Sequence, residues 1–225
     1  MAETRILKGI TAAPGLASGP IFTVQKQAIN IPHYTIEDSA AERQRLNNAR
    51  VTAIEELKGL RDSVRAQAKK KEAEIFDAHM MFLEDESLVS LAESDIKAGK
   101  NAEAAWMNAI ETIAQQLEAI PDPTLSARAV DLRDVGQRVL RHLLGLQTRG
   151  INPDKPSIIV SRDLTPSDTV SLERSVTLGF VTAEGGPTSH TAILAKAFGL
   201  PAVVGMGEEL LAIPDDAFLL VDGNT

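Results

Sequence analysis

Cysteine is absent from the chain. There is therefore no disulfide scaffold and no thiol chemistry, and a cytoplasmic location is compatible with that lack. Positive charge is in short supply: the formal net charge is −8. That balance disfavours a nucleic-acid partner and favours a basic protein partner, or simple solubility. No apolar run approaches the roughly 20 residues of a membrane-spanning helix, so no membrane association is expected. The start, Met1-Ala2-Glu3-Thr4-Arg5, lacks the apolar core of a signal peptide, and none is expected. Catalytic motifs of several kinds are also missing. Without a Gly-x-Ser-x-Gly elbow, Ser189 has no case as a hydrolase nucleophile. Without His-Glu-x-x-His or clustered ligand spacing, no bound metal is expected, and without a Walker A loop ATP is not an obvious substrate. What remains is a chain of 225 residues with 44% apolar residues. That suits one or two globular domains with a sizeable core.

One stretch organises the rest: Glu184-Gly185-Gly186-Pro187-Thr188-Ser189-His190-Thr191-Ala192-Ile193-Leu194-Ala195-Lys196-Ala197-Phe198-Gly199-Leu200-Pro201-Ala202-Val203-Val204-Gly205. Val176 to Thr182, before it, reads as a strand. Gly185-Gly186 gives a tight turn and lets a ligand approach the backbone. Thr188 and Ser189 are good N-cap residues, and Ile193, Leu194 and Ala197 follow a helical spacing. Gly199 with Pro201 stops that helix. His190 is thus expected in the first turn of a helix fed by a glycine loop. Unpaired backbone N–H groups and the positive end of the helix dipole suit an anion such as a phosphoryl group there.

The residues Gly-Gly-x-Thr-Ser-His-Thr-Ala-Ile, followed by Leu-Pro-Ala-Val-Val-Gly, resemble the phosphohistidine signature of enzyme I, the phosphoenolpyruvate–protein phosphotransferase of the bacterial sugar phosphotransferase system. A related signature occurs in pyruvate phosphate dikinase and phosphoenolpyruvate synthase. The resemblance continues in Gly9-Ile10-Thr11-Ala12-Ala13-Pro14-Gly15-Leu16-Ala17, in His79-Met80-Met81-Phe82-Leu83-Glu84-Asp85-Glu86 and in Arg128-Ala129-Val130-Asp131-Leu132-Arg133-Asp134-Val135-Gly136. It implies that His190 carries phosphate on Nε2.

Along the chain, the glycine- and proline-rich Ile6 to Ile21 reads as a turn between short strands, and Ile21 to Val24 as a strand. From about Thr35 to Leu146 glycine becomes sparse. Thr35-Ile36-Glu37-Asp38 resembles a capping box. Leu46, Ala49, Ala53, Leu57, Leu60 and Val64 mark a long amphipathic helix. Shorter helices are expected from Glu74, after Asp85, after Asn101, and from about Leu125 to Leu144, with stops at Gly99, at Pro121-Asp122-Pro123 and at Gly145. Short joins make this an antiparallel bundle. From Ile151 strands alternate with helices again: Ser157 to Val160, Leu178 to Thr182, Ala202 to Val204 and Phe218 to Val221. Thr165-Pro166-Ser167-Asp168 can open a helix between them. The expected fold is an α/β (α+β) phosphohistidine domain, residues 1–30 and 147–225, with an inserted antiparallel helical bundle, residues 31–146. Enzyme I has such an insertion, which binds the phosphocarrier protein HPr; the dikinases lack it.

The resemblance also assigns roles. His190 is the carrier and Thr169 the residue that orients its other ring nitrogen. Gly185, Gly186, Thr188 and Ser189 form the phosphate loop. Arg128 can neutralise phosphate when the partner docks. Met81, Phe82 and Leu83 form a partner groove by the resemblance, although by pattern they read as core. Glu84, Asp85 and Glu86 can face a basic partner. Lys70 and Lys71 stand where the family often has acids, against a fully acidic face. His33, His79 and His142 read as structural. In the family, phosphoenolpyruvate and Mg²⁺ bind a C-terminal barrel that brings the dimer contacts. This chain is therefore expected to need no cofactor, to lack transfer from phosphoenolpyruvate, and to exchange phosphate with phosphorylated HPr. The alternatives are a nitrogen-branch or fused multiphosphoryl paralogue, a non-catalytic adaptor, and a dikinase swivelling domain.

Overall fold

The computed structural model describes residues 5–24, 29–67, 70–146, 151, 153–165, 168, 172–187, 189–215 and 217–224. The chain divides into two compact units, Met1–Gln27 with Gly150–Thr225, and Ala28–Arg149. The first is an α/β unit; the second, inserted within it, is helical.

The α/β unit is built on a six-stranded sheet. Its strands are β1 (Ile10–Ala13), β2 (Leu16–Thr23), β3 (Ser157–Ser161), β4 (Thr177–Thr182), β5 (Ala202–Val204) and β6 (Phe218–Asp222). The order is β1-β5-β4-β3-β2-β6. β2, β3, β4 and β5 run parallel, and β1 and β6 close the two edges antiparallel. Every residue of β3 is buried, and its middle, Ile158-Ile159-Val160, is apolar without a break, as a strand covered on both faces requires. Alternate side chains feed two cores. Ile159 and Phe180 pack with Ala192, Ala195, Ala202 and Val204 on one face. Ile158, Val160 and Val181 pack with Leu210 and Val221 on the other. The first face is covered by the helix His190–Phe198, whose Ala192 and Ala195 are fully buried and small enough to let it lie close.

The opening segment is more extended than its composition predicts. Only the Pro14-Gly15 corner is a turn, with Gly15 at φ 133°. Ala17, Ser18, Gly19 and Pro20 belong to β2, paired against β6 from Leu16↔Asp222 to Pro20↔Phe218. Pro20 can sit there because its missing N–H is not needed in that register.

The helical unit contains α1 (Ser39–Gln67), α2 (Lys70–Glu84), α3 (Glu86–Lys97), α4 (Ala102–Glu118) and α5 (Pro123–Leu143). The α1 stripe is buried at Leu46, Ala49, Ala53, Leu57 and Val64. Its cap is Asp38 rather than Thr35: Asp38 Oδ1 accepts from Ala40 N at 2.9 Å and Ala41 N at 3.0 Å. Asp85 caps α3 and Asp122 caps α5, each accepting from two backbone amides. The α5 start at Pro123 follows because proline suits a first helical position.

Asn101 precedes α4 without a capping bond from its side chain. It works in a buried polar knot instead. Its Nδ2 donates to Glu103 Oε2 at 2.7 Å and to Pro32 O at 2.9 Å. Arg45 bridges Glu103 and Glu42, at 2.6 Å each, and Glu42 Oε2 accepts from Ala102 N at 2.7 Å. The α4 terminus is thus capped by a carboxylate from α1. Where α4 meets α5, Trp106 Nε1 donates to Gly136 O at 3.0 Å. A Cβ on Gly136 would lie 2.8 Å from Ile110 Cγ1, so the helices approach where glycine allows it.

Two predictions follow from this packing. Gly136→Ala gains helix propensity of about 1 kcal/mol but overpacks Ile110, so a net loss of about 1 kcal/mol is expected in denaturant unfolding of the helical signal. Burial pushes the Glu103 carboxyl up, but hydrogen bonds from Asn101, its own backbone amide and Arg45, with the Arg45 charge, hold it below the ordinary range. A carboxylate so lowered contributes stability that is full above the unfolded glutamate value of about 4.3 and is lost as the pH falls through the folded one. Glu103→Gln is expected to flatten the acid limb of the unfolding curve below about pH 4.

Candidate functional site

Three parallel strands of the α/β unit end side by side, and the chain segments leaving them stay knitted together. Ala183 N donates to Ser161 O at 3.0 Å and Glu184 N to Arg162 O at 2.8 Å. Met206 N reaches Thr182 O at 3.1 Å, and Gly207 N reaches Ala183 O at 2.9 Å. Ligand sites in parallel sheets lie at such carboxyl ends. From this edge the chain turns at Gly185, φ 97°, a conformation that favours glycine. Ser189 N donates to Gly186 O at 2.9 Å, closing the turn. Ser189 is the N-cap of α6 (His190–Phe198), and its Oγ accepts from Ala192 N. Gly199, left-handed at φ 66°, ends the helix.

His190 is the first residue of α6. Thr191, Ala192 and Ala195 are buried, whereas Ile193 is 40% exposed. Ile193 therefore does not belong to the packed face; Thr191, Ala192 and Ala195 do, and the side chains of Leu194 and Ala197, expected beside Ile193, lie outside the described residues. By the helical repeat, position 190 lies on the side of Ile193, opposite the buried trio. Thr169 and Thr188 lie outside the described residues, and so does the side chain of His190. Gly185, Gly186 and Ser189 are together in the loop.

Sequence reasoning missed the tether of this helix. Thr191 Oγ1 donates to Leu164 O at 3.3 Å in a fully buried position. This joins the first turn of α6 to the segment after β3. In that segment Thr165 N donates to Asp168 Oδ2 at 3.0 Å, and Asp168 N donates to Thr165 Oγ1 at 3.2 Å. The helix that Thr165-Pro166-Ser167-Asp168 can open lies outside the described residues. A threonine directly after the capping Ser189 and the histidine was the available signal, since buried hydroxyls seek an acceptor.

Also missed was Arg162, which sits on the strand edge beside Glu184. Its Nη1 donates to Glu184 Oε1 at 2.9 Å and also reaches Glu208 Oε1, and its Nη2 donates to Glu208 Oε2 at 2.7 Å. Hydrogen bonds to Glu208 and Glu184 hold the guanidinium more firmly protonated, and Arg162 holds Glu208 below the usual carboxylate range. One arginine thereby pairs with two acids next to the loop and offsets one of their two charges.

The residues proposed for a partner lie in the helical unit. Met81 is 70% exposed, and Glu84 is exposed; Phe82 is partly covered and Leu83 is buried. The pattern that reads Met81 as core thus fails, because α2 buries Ala73, Phe76, Met80 and Leu83. Arg128 is partly exposed and donates to Asp131 Oδ2 at 2.9 Å. Among the described residues, no group of three or more His, Asp or Glu side chains is placed to hold a metal ion, and no helix is long and apolar enough to cross a membrane.

The chain matches the family of PEP-utilising enzyme, N-terminal, over residues 8–128, and that of PEP-utilising enzyme, mobile domain, over residues 153–225. It is 41% identical over 222 residues to a multiphosphoryl transfer protein of Rhodobacter capsulatus, which covers 98% of this chain and 27% of that protein. It is 37% identical over 225 residues to a phosphoenolpyruvate-protein phosphotransferase of Enterococcus faecalis, covering 98% of this chain and 39% of that one. The chain thus spans well under half the length of these relatives. A solution structure of Enzyme I is similar at a TM-score of 0.75 and 36% identity, over 97% of this chain and 90% of that chain.

The loop geometry carries its own prediction. Gly185→Ala forces a side chain into the left-handed region and puts its Cβ 3.4 Å from Ser189 Oγ. A loss of about 1–2 kcal/mol is expected in thermal unfolding of the α/β unit. An alanine variant as stable as the parent would show that the turn does not need glycine.

Proposed function

Since the chain belongs to the PEP-utilising enzyme family, across both its N-terminal and mobile domains, we propose that it is a phosphoryl carrier that holds phosphate on His190 and exchanges it with an HPr-type phosphocarrier protein. In this reading the chain serves the first step of the sugar phosphotransferase system, the passage of phosphate from phosphoenolpyruvate to HPr. The observation that carries the reading is the start of α6: a Ser189-capped helix with His190 at its first position, fed by a positive-φ glycine turn at the carboxyl ends of parallel strands.

Imidazole suits the role because it is a neutral nucleophile near neutral pH. The transferred group is loosely bonded in transit, so the protein contributes mainly position and electrostatics. Here His190 Nε2 attacks phosphorus as the bond to the donor's nitrogen breaks; the reverse step returns the group. The helix N-terminus favours the arriving negative charge. Arg162 pairs with Glu184 and Glu208 and so halves the negative charge that would repel it. Thr169 orients the other ring nitrogen; the Thr191–Leu164 bond supports this by tying α6 to the segment that leads to Thr169. Gly185, Gly186, Thr188 and Ser189 shape the pocket for the phosphoryl oxygens.

On the partner side, exposed Met81 and Glu84 with partly covered Phe82 form a mixed apolar and acidic surface suited to a basic carrier. Arg128 meets the phosphoryl group it brings. Phosphoenolpyruvate and Mg²⁺ belong to a C-terminal domain of the whole enzyme in the family, and the part played by residues 1–225 is the exchange with the phospho-carrier. The likeness to a multiphosphoryl transfer protein favours a second reading, the same module within a fused protein; the chemistry at His190 is common to both.

Incubation with radiolabelled phospho-HPr tests the proposal. Label is expected on the chain, reversibly. His190→Ala is expected to abolish labelling with the circular dichroism spectrum unchanged, because position 190 lies off the packed face of α6. An unlabelled parent chain, or a labelled His190→Ala, would overturn it.

A further inference from the structure

A groove of about 360 Å³ lies between α1 and α3. That is within the range of small-molecule sites, roughly 300–1,000 Å³. Its α1 wall is made by Ala40, Arg43, Gln44, Asn47 and Arg50, which share one face of the helix by its repeat. Buried Leu46 and partly covered Val89 give it an apolar floor. An apolar floor with a few convergent polar groups is the usual make-up of such a site.

The two arginines are committed differently. Arg43 Nη2 pairs with Glu93 Oε1 across the groove at 3.1 Å. Arg50 donates through Nε and Nη2 to Leu83 O, at 3.1 and 2.6 Å. Both bonds use one edge of the guanidinium, and their acceptor is a neutral carbonyl. Nη1 reaches only Asn47 Oδ1, at 3.5 Å, a weak contact. Among the described residues no carboxylate pairs directly with Arg50. Burial therefore pushes its guanidinium down, and the more distant charges of Glu93 and Glu84 offset that only in part. A half-buried cation held by neutral oxygens is left under-compensated. Its second edge, Nη1 with Nη2, is the two-donor fork that a carboxylate matches.

We propose that this groove binds a small organic anion, its carboxylate forked on Arg50 and its apolar body laid over Leu46 and Val89. The lining side chains carry two positive charges and one negative, in a chain of net charge −8. Glu93 is near enough to act on Arg50, and its pairing with Arg43 limits its repulsion of the ligand. Arg43 and Arg50 are seven residues apart, about 10 Å along α1. The Arg43–Glu93 pair thus closes one end of the groove and Arg50 receives the anion at the other. No residue lining the groove has a part in the phosphoryl-carrier reading, so the two stand or fall separately.

Butyrate is a suitable probe, titrated into the chain and followed by amide and arginine side-chain magnetic resonance. Saturable shifts at Arg43, Asn47, Arg50 and Val89 are expected, with a Kd of about 1–10 mM for so small a ligand. Arg50→Met is expected to weaken binding about tenfold or more, since it removes a charge-assisted pair. Because Arg50 also holds the end of α2, a second variant leaves it in place. Val89→Trp fills the groove and is expected to abolish the shifts with the circular dichroism spectrum unchanged. Butylamine, and sodium chloride at matched ionic strength, are expected to give no saturable shift at these residues. Shifts that do not saturate, that chloride reproduces, or that survive in Val89→Trp would overturn the proposal. Inorganic phosphate binding as tightly as butyrate would overturn it too, because the apolar floor would then contribute nothing.

Discussion

Everything at the site depends on how the chain leaves β4 and enters α6. Gly185 at φ 97° bends it, and Ser189 caps the helix two residues after Pro187. The turn has little slack. A Cβ on Gly205 would meet Gly185 O at 3.3 Å, so the strand after α6 is packed against the turn before it. The Thr191–Leu164 bond adds a third anchor from the segment after β3. A nine-residue helix is too short to be stable alone. Its position is fixed by the sheet beneath Ala192 and Ala195 and by these three neighbours, which set where the helix starts relative to the strand ends.

That placement matters for the chemistry proposed. Transfer of a loosely bonded phosphoryl group is limited by geometry and local charge rather than by acid–base strength. The helix terminus supplies a favourable field, and Arg162 pairs with the two neighbouring carboxylates and offsets one of their charges. The helical unit handles its own charges differently. Its buried acids Glu42, Glu103 and Asp131 are each tied to arginine. The first two close a knot that holds α1 and α4 together. The third pairs with Arg128, whose side chain is 40% exposed.

The helical half was largely legible because its signals are local. Asp85, Asn101 and Asp122 stand before helices, Gly99 and Gly145 after them, and the α1 stripe from Leu46 to Val64 is the face that packs. The local rules failed where a distant residue does the work. Asn101 does not cap α4 because Glu42, from another helix, does. Thr35 does not open α1 because Asp38 is closer to its first amides. In the α/β half the strand segments could be read but not their order. The parallel pairing of β2 with β3 joins residues separated by the whole insertion, and nothing local encodes it. β2 itself was obscured by Ser18-Gly19-Pro20, residues that an edge-proximal strand tolerates once β6 is beside it. At the site, the glycine turn, the Ser189 cap and the place of His190 in the chain were legible. The Arg162 cluster and the Thr191 tether were not, since both require strands to be brought together first.

The most direct measurement is to phosphorylate the chain with an HPr-type carrier and map the phosphate by phosphorus magnetic resonance and peptide mass spectrometry. The account predicts one acid-labile, base-stable phosphohistidine, located at His190. Phosphate on His33, His79, His142 or a hydroxyl residue, or none at all, would contradict it.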